Sequence, residues 1–326
     1  MNMDRRGLLS AGLMLGAGVM GADVLAFRAG AEAHDAPPQP VSDRLGVSVT
    51  EYGVYSDKER DQTDRLQKAI ESVNGHRCVV FPQGRYKTSR LILKDGQTLL
   101  GAPGQSALVL TGDGPAVVAE TNARIRGDLD KIRFCGLDFV GSSGAFADVK
   151  NGMVHVKGGC YLFERCRFYG SEGPGLIVEN AESVEIVNCT FRDCGQGGLR
   201  ILNPAAAGQA SIISQNRFEN CGAQIEGPAI VTSNVVTSAP RVGLMLGARR
   251  ARGQIMAAHN FISGSPVGLG AAAEGDGYYM LALNMITNAK DGAIRAFDKG
   301  KPIGPDLARA SSEAFRHLGL FGNVAQ

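Results

Sequence analysis

Between Cys166 and Asn323 a three-residue motif recurs: an Asn or Cys, one variable residue, then an apolar or aromatic one. It reads Cys166-Arg167-Phe168, Cys189-Thr190-Phe191, Asn216-Arg217-Phe218, Asn234-Val235-Val236, Asn260-Phe261-Ile262, Asn284-Met285-Ile286 and Asn323-Val324-Ala325, in steps of 23, 27, 18, 26, 24 and 39 residues. A second, glycine-led row advances with it through Leu176, Leu199, Leu244, Leu269 and Ile294, with Ile225 after Cys221-Gly222 as a degenerate member. Two rows moving together by about 25 residues define a repeated coil. The intervening segments, such as Val184-Glu185-Ile186-Val187 and Leu199-Arg200-Ile201, are short, Gly-broken and alternating, which excludes helical repeats. The pattern predicts an all-β chain wound as a parallel β-helix, each coil about 4.8 Å above the last, so that equivalent side chains stack. Amides such as Asn216 then bond along the stack at a tight turn, while Phe168, Phe191 and Phe218 stack inward.

Seven cysteines is an odd number. Cys166 and Cys189 occupy equivalent ladder positions, and Cys194-Gly195 is matched by Cys221-Gly222 one coil later. Buried thiols filling apolar space explain this spacing best, since no CxxC pair or His cluster accompanies them, yet stacked cysteines also come close enough to bond.

The ends of the stack need covers. Leu66, Ala69, Ile70 and Val73 form one apolar stripe, predicting a short helix between Asp61 and Gly75 with Asp64 and Gln67 as its capping pair and Asn74-Gly75 as its stop. Cys78 to Phe81 and Leu91 to Leu93 read as the strands that follow it. At the other end, Pro305 to Leu318 is expected to form a helical excursion, with Leu307, Phe315 and Leu318 as contacts, shielding the open edge or engaging a partner.

The N-terminal residues form an address. Asp4-Arg5-Arg6-Gly7-Leu8-Leu9 precedes an apolar run to Ala22, and Ala31-Glu32-Ala33 offers small residues at a signal-peptidase spacing. The segment resembles a twin-arginine export signal; a short membrane anchor is the alternative, although the run falls below the roughly 20 residues a span needs. Residues 1–33 are expected to be the signal, 34–44 a proline-bearing linker, and 45–326 one β-helix domain with no spanning segment, delivered by the Tat machinery to the periplasm or beyond. With 34 basic and 32 acidic side chains the net charge is +2, which implies no electrostatics for nucleic acid or anionic membrane.

Asp61-Gln62-Thr63-Asp64-Arg65-Leu66-Gln67-Lys68-Ala69-Ile70, followed by Val79-Val80-Phe81-Pro82-Gln83-Gly84-Arg85-Tyr86, resembles the cap and first coil of pectin-lyase-like right-handed parallel β-helix proteins. Together with the ladder, the resemblance covers roughly residues 45–326 and speaks to fold. The export signal and the ending through Asp291-Gly292-Ala293-Ile294, Gly304-Pro305-Asp306-Leu307 and Gly322-Asn323-Val324 are similar to a narrower group, the twin-arginine-translocated repetitive proteins. That group is usually longer, which implies coils missing here. The wider family usually acts on polysaccharides along one outward face, with stacked acidic residues and sometimes calcium and a basic residue.

We therefore ask which side chains the glycine-led row turns outward. With Val154, Val156, Leu176 and Val178 inward, His155, Lys157, Glu179, Arg200 and Glu226 form one outward patch. In a lyase or hydrolase, His155 or a glutamate supplies the base, Arg200 or Lys157 neutralises negative charge, and Lys157 also holds substrate. Glu179 and Glu226, two coils or about 10 Å apart, stand near the upper limit for an inverting carboxylate pair. The structural alternative is a solvated charge ladder with Arg200 between two glutamates. No polygalacturonase-like Asn-Thr-Asp, Asp-Asp, Gly-His-Gly and Arg-Ile-Lys set is present, and Asp138, Asp193, Asp276 and Asp291 fall at different coil positions, so no calcium site or other cofactor is implied. With no Trp, sugar platforms fall to Tyr161, Tyr169, Tyr278 and Tyr279. Two functions fit: an exported protein that binds or processes an extracytoplasmic, acidic polysaccharide, and a non-catalytic envelope solenoid.

Overall fold

From Arg165 onward, each described coil turns the same corner through two residues, and the first of these has left-handed backbone. Arg165, Asn188, Gln215, Ser233, His259 and Leu283 all have φ between 52° and 59°, and each immediately precedes a ladder residue. That conformation costs a non-glycine residue about 1–2 kcal/mol. It is held by a bond to the neighbouring coil, as when Gln215 N–H donates to Thr232 O at 3.1 Å. The computed structural model describes residues 46–73, 78–112, 114–120, 131–141, 152–203, 209–247, 253–274, 277–310 and 315–326. The expected signal, the linker and the helix stop at Asn74-Gly75 lie outside the described residues.

The described strands form three long parallel sheets, a right-handed parallel β-helix with one α-helix. Sheet 1 has eleven described strands, from Gly46–Ser48 and Cys78–Phe81 to Leu318–Phe321. Sheet 2 follows the corner and runs from Gly84–Thr88 to Val324–Ala325. Sheet 3 runs from Leu91–Leu93 to Gly292–Asp298, with Lys301–Ile303 added antiparallel at its end. The glycine-led row is the register Leu176, Leu199, Ala223, Leu244, Leu269, Ile294. Ala223, not Ile225, is thus its middle member; Ile225 pairs with Ile201 and Leu246 one inward position further on.

The ladder is continuous. Asn216, Asn234, Asn260 and Asn284 each donate Nδ2 to the Oδ1 of the next asparagine at 2.9–3.0 Å and to a backbone carbonyl of the preceding coil at 2.8–2.9 Å. Each Oδ1 also accepts a backbone N–H from the rung before it, so these fully buried amides are satisfied. Above the asparagines, the Cys166 and Cys189 thiols donate to Phe134 O and Phe163 O instead. Cys135, Cys166, Cys189, Cys194 and Cys221 form no disulfide. Inside the coil, Phe139, Phe168, Phe191 and Phe218 stack with centroids 4.8–4.9 Å apart, the strand spacing itself.

The first helix, α1 (Thr63–Glu71), buries Leu66, Ala69 and Ile70 against the first coils. Its cap differs from the expected pair. Asp61 Oδ1 accepts Thr63 N–H at 2.8 Å, while Gln67 exchanges two bonds with the backbone of Ile92 and so pins the helix to sheet 3. The C-terminal excursion also covers an edge, but its described residues form the Lys301–Ile303 strand and turns where a helix is expected; 311–314 lie outside the described residues. Asp306 accepts the N–H groups of Ala293 and Ile294 at 2.9 and 3.0 Å, and Leu307 N–H donates to Ile294 O. Burial alone would raise the Asp306 pKa, but these backbone donors outweigh it and hold it below its ordinary value.

Asn234→Ala leaves the Asn216 N–H and the Asn234 share of the ladder without partners in a dry site. We expect a loss of about 2–4 kcal/mol in urea unfolding. Lys290→Ala, at an exposed turn outside the ladder, is expected to cost under about 0.5 kcal/mol in the same measurement.

Candidate functional site

Sheet 3 alternates inward and outward positions from Val154 to Glu226, although Ile177 in the outward row is covered. Val154, Val156, Leu176, Val178, Leu199 and Ile201 are fully buried, and their neighbours face out in two columns. The first column is His155, Ile177, Arg200, Gln224, Met245, Gly270 and Arg295; the second is Lys157, Glu179, Leu202 and Glu226. All five residues singled out in the sequence stand on this face, but not as one cluster. Leu202 separates Glu179 from Glu226, and Arg200 lies in the adjacent column, so the ladder with arginine between two glutamates does not form. His155 Nε2 is 3.4 Å from Glu179 Oε1 without hydrogen-bond alignment. Lys157 is exposed at the edge.

Arg200 faces instead into a groove of about 580 Å³, bordered by Arg200, Gln224, Arg241, Met245, Phe297 and Lys299. Met245 and Phe297 form an apolar floor across Gly270, where a Cβ would stand 2.8 Å from Met245 Sδ and 2.9 Å from the Phe297 ring. Glycine at 270 therefore lets the two side chains meet. Three cations face two carboxylates around the groove, Glu274 and Asp298. The Nε of Arg200 and Oδ1 of Asp298 are both shielded from solvent and make no hydrogen bond. The three cations that border the groove give it the charge to attract a carboxylate. On sheet 2 Arg167 clasps Asp138 and Arg192 pairs with Glu219, whereas Arg295, at the far end of the Arg200 column, also keeps an Nε without a hydrogen bond.

Glu226 sits beside this groove. Gln224 Nε2 donates to its Oε1 at 2.7 Å. Burial raises its pKa above the ordinary carboxylate value, with the Gln224 bond and the nearby Arg200 charge only partly offsetting this. Burial, and then the negative charge of Glu226, raises the Tyr279 hydroxyl as well. That hydroxyl is buried without a partner, against Gly247, where no Cβ would fit. Tyr161 and Tyr279, expected as outward sugar platforms, are thus corrected to core residues, with Tyr161 donating to Lys157 O at 2.9 Å. Tyr278 alternates outward and Tyr169 bonds Asp138.

Among the described residues no three His, Cys, Asp or Glu converge as a metal site. Asp138 is buried in its pairing with Arg167 and Asp193 accepts from Asn220 at a turn, while Asp276 lies outside the described residues. No described helix is long and apolar enough to cross a membrane. The sequence reading missed Gln224, Arg241 and Lys299. Gln224 faces outward whether Ala223 or Ile225 is taken as the row member, but only the pairing of Ala223 with Leu199 sets it beside Arg200, whereas Arg241 and Lys299 lie in turns that follow no period.

The model of the family described as rhamnogalacturonase A/epimerase, pectate lyase-like, matches residues 46–245. Among solved structures, the chain is similar to the Dettilon tailspike protein at 12% identity and TM-score 0.51, over 79% of this chain and 60% of that one. It is similar to the Azotobacter vinelandii mannuronan C-5 epimerase AlgE4 A-module at 14% identity and TM-score 0.46, over 86% and 95% of the two chains. A Yersinia enterocolitica family 28 exopolygalacturonase is similar at 12% identity and TM-score 0.44, over 86% and 66%. The tailspike likeness is one of fold alone. No curated protein sequence matches the chain.

Because the folded state raises the Glu226 pKa, ionisation of this carboxyl costs stability: its contribution is complete below the unfolded value and is lost as pH rises through the folded one. Glu226→Gln should therefore be more stable than the parent at pH 8, with the gap closing below about pH 4. Urea midpoints across that range check this; a pH-independent difference would show that the carboxyl is not desolvated.

Proposed function

Because the chain belongs to the rhamnogalacturonase A/epimerase, pectate-lyase-like family, we propose that it is an exported protein that binds and processes an acidic polysaccharide along the sheet 3 groove. The observation that carries this reading is the groove itself, where Arg200, Arg241 and Lys299 border an apolar floor of Met245 and Phe297. A uronate ring offers the matching pair of surfaces: a carboxylate for the guanidinium and Lys299, and a carbon face for Met245 and Phe297. Glu226, kept protonated to higher pH than a free carboxyl, suits a proton donor to the departing glycosidic oxygen. Glu179, two rungs or about 10 Å away and in contact with His155, suits the base that activates water in an inverting hydrolysis. In a lyase reading the same His155 and glutamates supply the base, and Arg200 and Lys157 steady the negative charge that develops next to the carboxylate.

The test is the purified protein with a panel of uronate-containing polymers, following reducing ends and the absorbance of new double bonds. Arg200→Gln is expected to weaken binding of a uronate oligomer about 10- to 100-fold, as fits one lost hydrogen bond to a charged group. Arg192→Gln, on sheet 2, is expected to leave binding unchanged. Glu226→Gln should abolish turnover while binding survives. Binding without any turnover in the parent protein would assign a non-catalytic envelope solenoid, and equal affinity of Arg200→Gln would remove the groove from the proposal.

A further inference from the structure

Beneath one bank of the groove, two thiols lie one above the other. Arg192 pairs with Glu219, so Cys194 and Cys221, two residues further on, hold equivalent places in adjacent coils. Asp193 and Asn220, just before them, share left-handed backbone, with φ of 52° and 55°, and are joined by a side-chain bond of 2.7 Å. The surroundings of each sulfur repeat from coil to coil. Cys194 Sγ lies 3.8 Å from Phe168 O, and Cys221 Sγ lies 3.4 Å from Phe191 O, the equivalent carbonyl one coil on. A Cβ on Gly175 would stand 3.1 Å from the first sulfur, and one on Gly198 would stand 3.1 Å from the second. Both thiols are fully buried. Adjacent strands hold equivalent Cα atoms about 4.8 Å apart, inside the roughly 4.4–6.8 Å that a disulfide spans.

The column Ser171, Cys194, Cys221, Ala239 and Ser265 is small and buried throughout. Serine or alanine fills it, so packing does not require sulfur on two successive rungs. Cys166 and Cys189 are stacked too, but in the ladder corner, where Cys189 N–H donates to Asn216 Oδ1 and strands resume at Arg167 and Thr190. Cys194 instead opens the turn Gly195-Gln196-Gly197-Gly198, whose first three residues border the groove. Its single side chain, Gln196, is exposed, so this turn can open without drawing a side chain out of the core. The two thiols also differ in acidity. A hydrogen bond from the Cys194 thiol holds Cys221 below its ordinary pKa against the effect of burial; the same bond, and then burial, raises Cys194. Cys221 is the readier thiolate, with a proton-bearing thiol against it.

We propose that Cys194 and Cys221 are an oxidation site, closed by hydrogen peroxide to a disulfide that ties two coils together under the groove bank. The site does not depend on what the groove binds. The Cys221 thiolate attacks one peroxide oxygen, the O–O bond breaks, hydroxide leaves and Cys221 becomes a sulfenic acid. Cys194 sulfur then displaces the sulfenic oxygen, which takes the Cys194 proton and leaves as water. The two sulfurs give up two electrons, and the peroxide is reduced to water and hydroxide. Peroxide treatment of the folded full chain, then alkylation, proteolysis and mass spectrometry, is expected to show the Cys194 and Cys221 peptides joined with loss of two hydrogens, and dithiothreitol should part them. Cys194→Ser places there the residue that Ser171 already supplies to the column. In that variant Cys221 should stop at the sulfenic acid, trapped by dimedone as the protein is unfolded. Should the variant misfold, early quenching of the parent reads the same order, with dimedone on Cys221. Unchanged thiols in the folded parent, a link between Cys166 and Cys189 in place of this one, or dimedone on Cys194 alone overturns the proposal.

Discussion

The amide ladder at the corner between sheets 1 and 2 sets the height of the coils from Asn216 to Asn323. Each asparagine offers two donors and an acceptor with two lone pairs, and the stack uses them all: a carbonyl of the coil on one side, the next amide on the other, and a backbone N–H. A rung displaced along the axis would break several bonds at once in a site without water. The phenylalanine stack repeats the same spacing a few ångströms inside, so polar and apolar groups impose one pitch on the chain. Backbone pairing, amides and rings agree on where each strand sits, and this agreement makes the outward side chains predictable.

On that frame the chemistry is decided by neighbours within a column. Arg167 and Arg192 face acidic partners one coil away and are neutralised by them. Arg200 has Ile177 and Gln224 as its column neighbours and Leu202 beside Glu179 in the next column, so its charge is left for the groove. Burial of Glu226 next to it raises the energy of the ionised carboxylate, and the Arg200 charge offsets this only in part.

The ladder, the inward rings and the outward orientation of His155, Lys157, Glu179, Arg200 and Glu226 follow from period alone, because stacked coils turn spacing directly into position. Other features depend on events a period does not describe. Ile225 looked like a row member because it is apolar at nearly the right step, yet Ala223 takes the place, and the two-residue offset hid the position of Gln224 beside Arg200. Adjacent Tyr278 and Tyr279 cannot both face outward on one strand, and the buried one reaches toward Glu226. Asp64 and Gln67 have the spacing of a capping pair, but Asp61 caps the helix better and frees Gln67 to bond Ile92. Leu307, Phe315 and Leu318 suit a helix, whereas the unpaired N–H groups of Ala293 and Ile294 draw Asp306 across them and hold that segment in turns. The far wall of the groove, at Asp298 and Lys299, belongs to this same non-repeating excursion.

The corner keeps two residues in every coil from Arg165-Cys166 to Gly322-Asn323, although the steps between ladder residues range from 18 to 39. All variation in coil length is therefore confined to the other two turns, which flank sheet 3. Residues can be added or removed there without lifting any strand off its neighbour, so the banks of the channel are open to revision while its bed stays fixed.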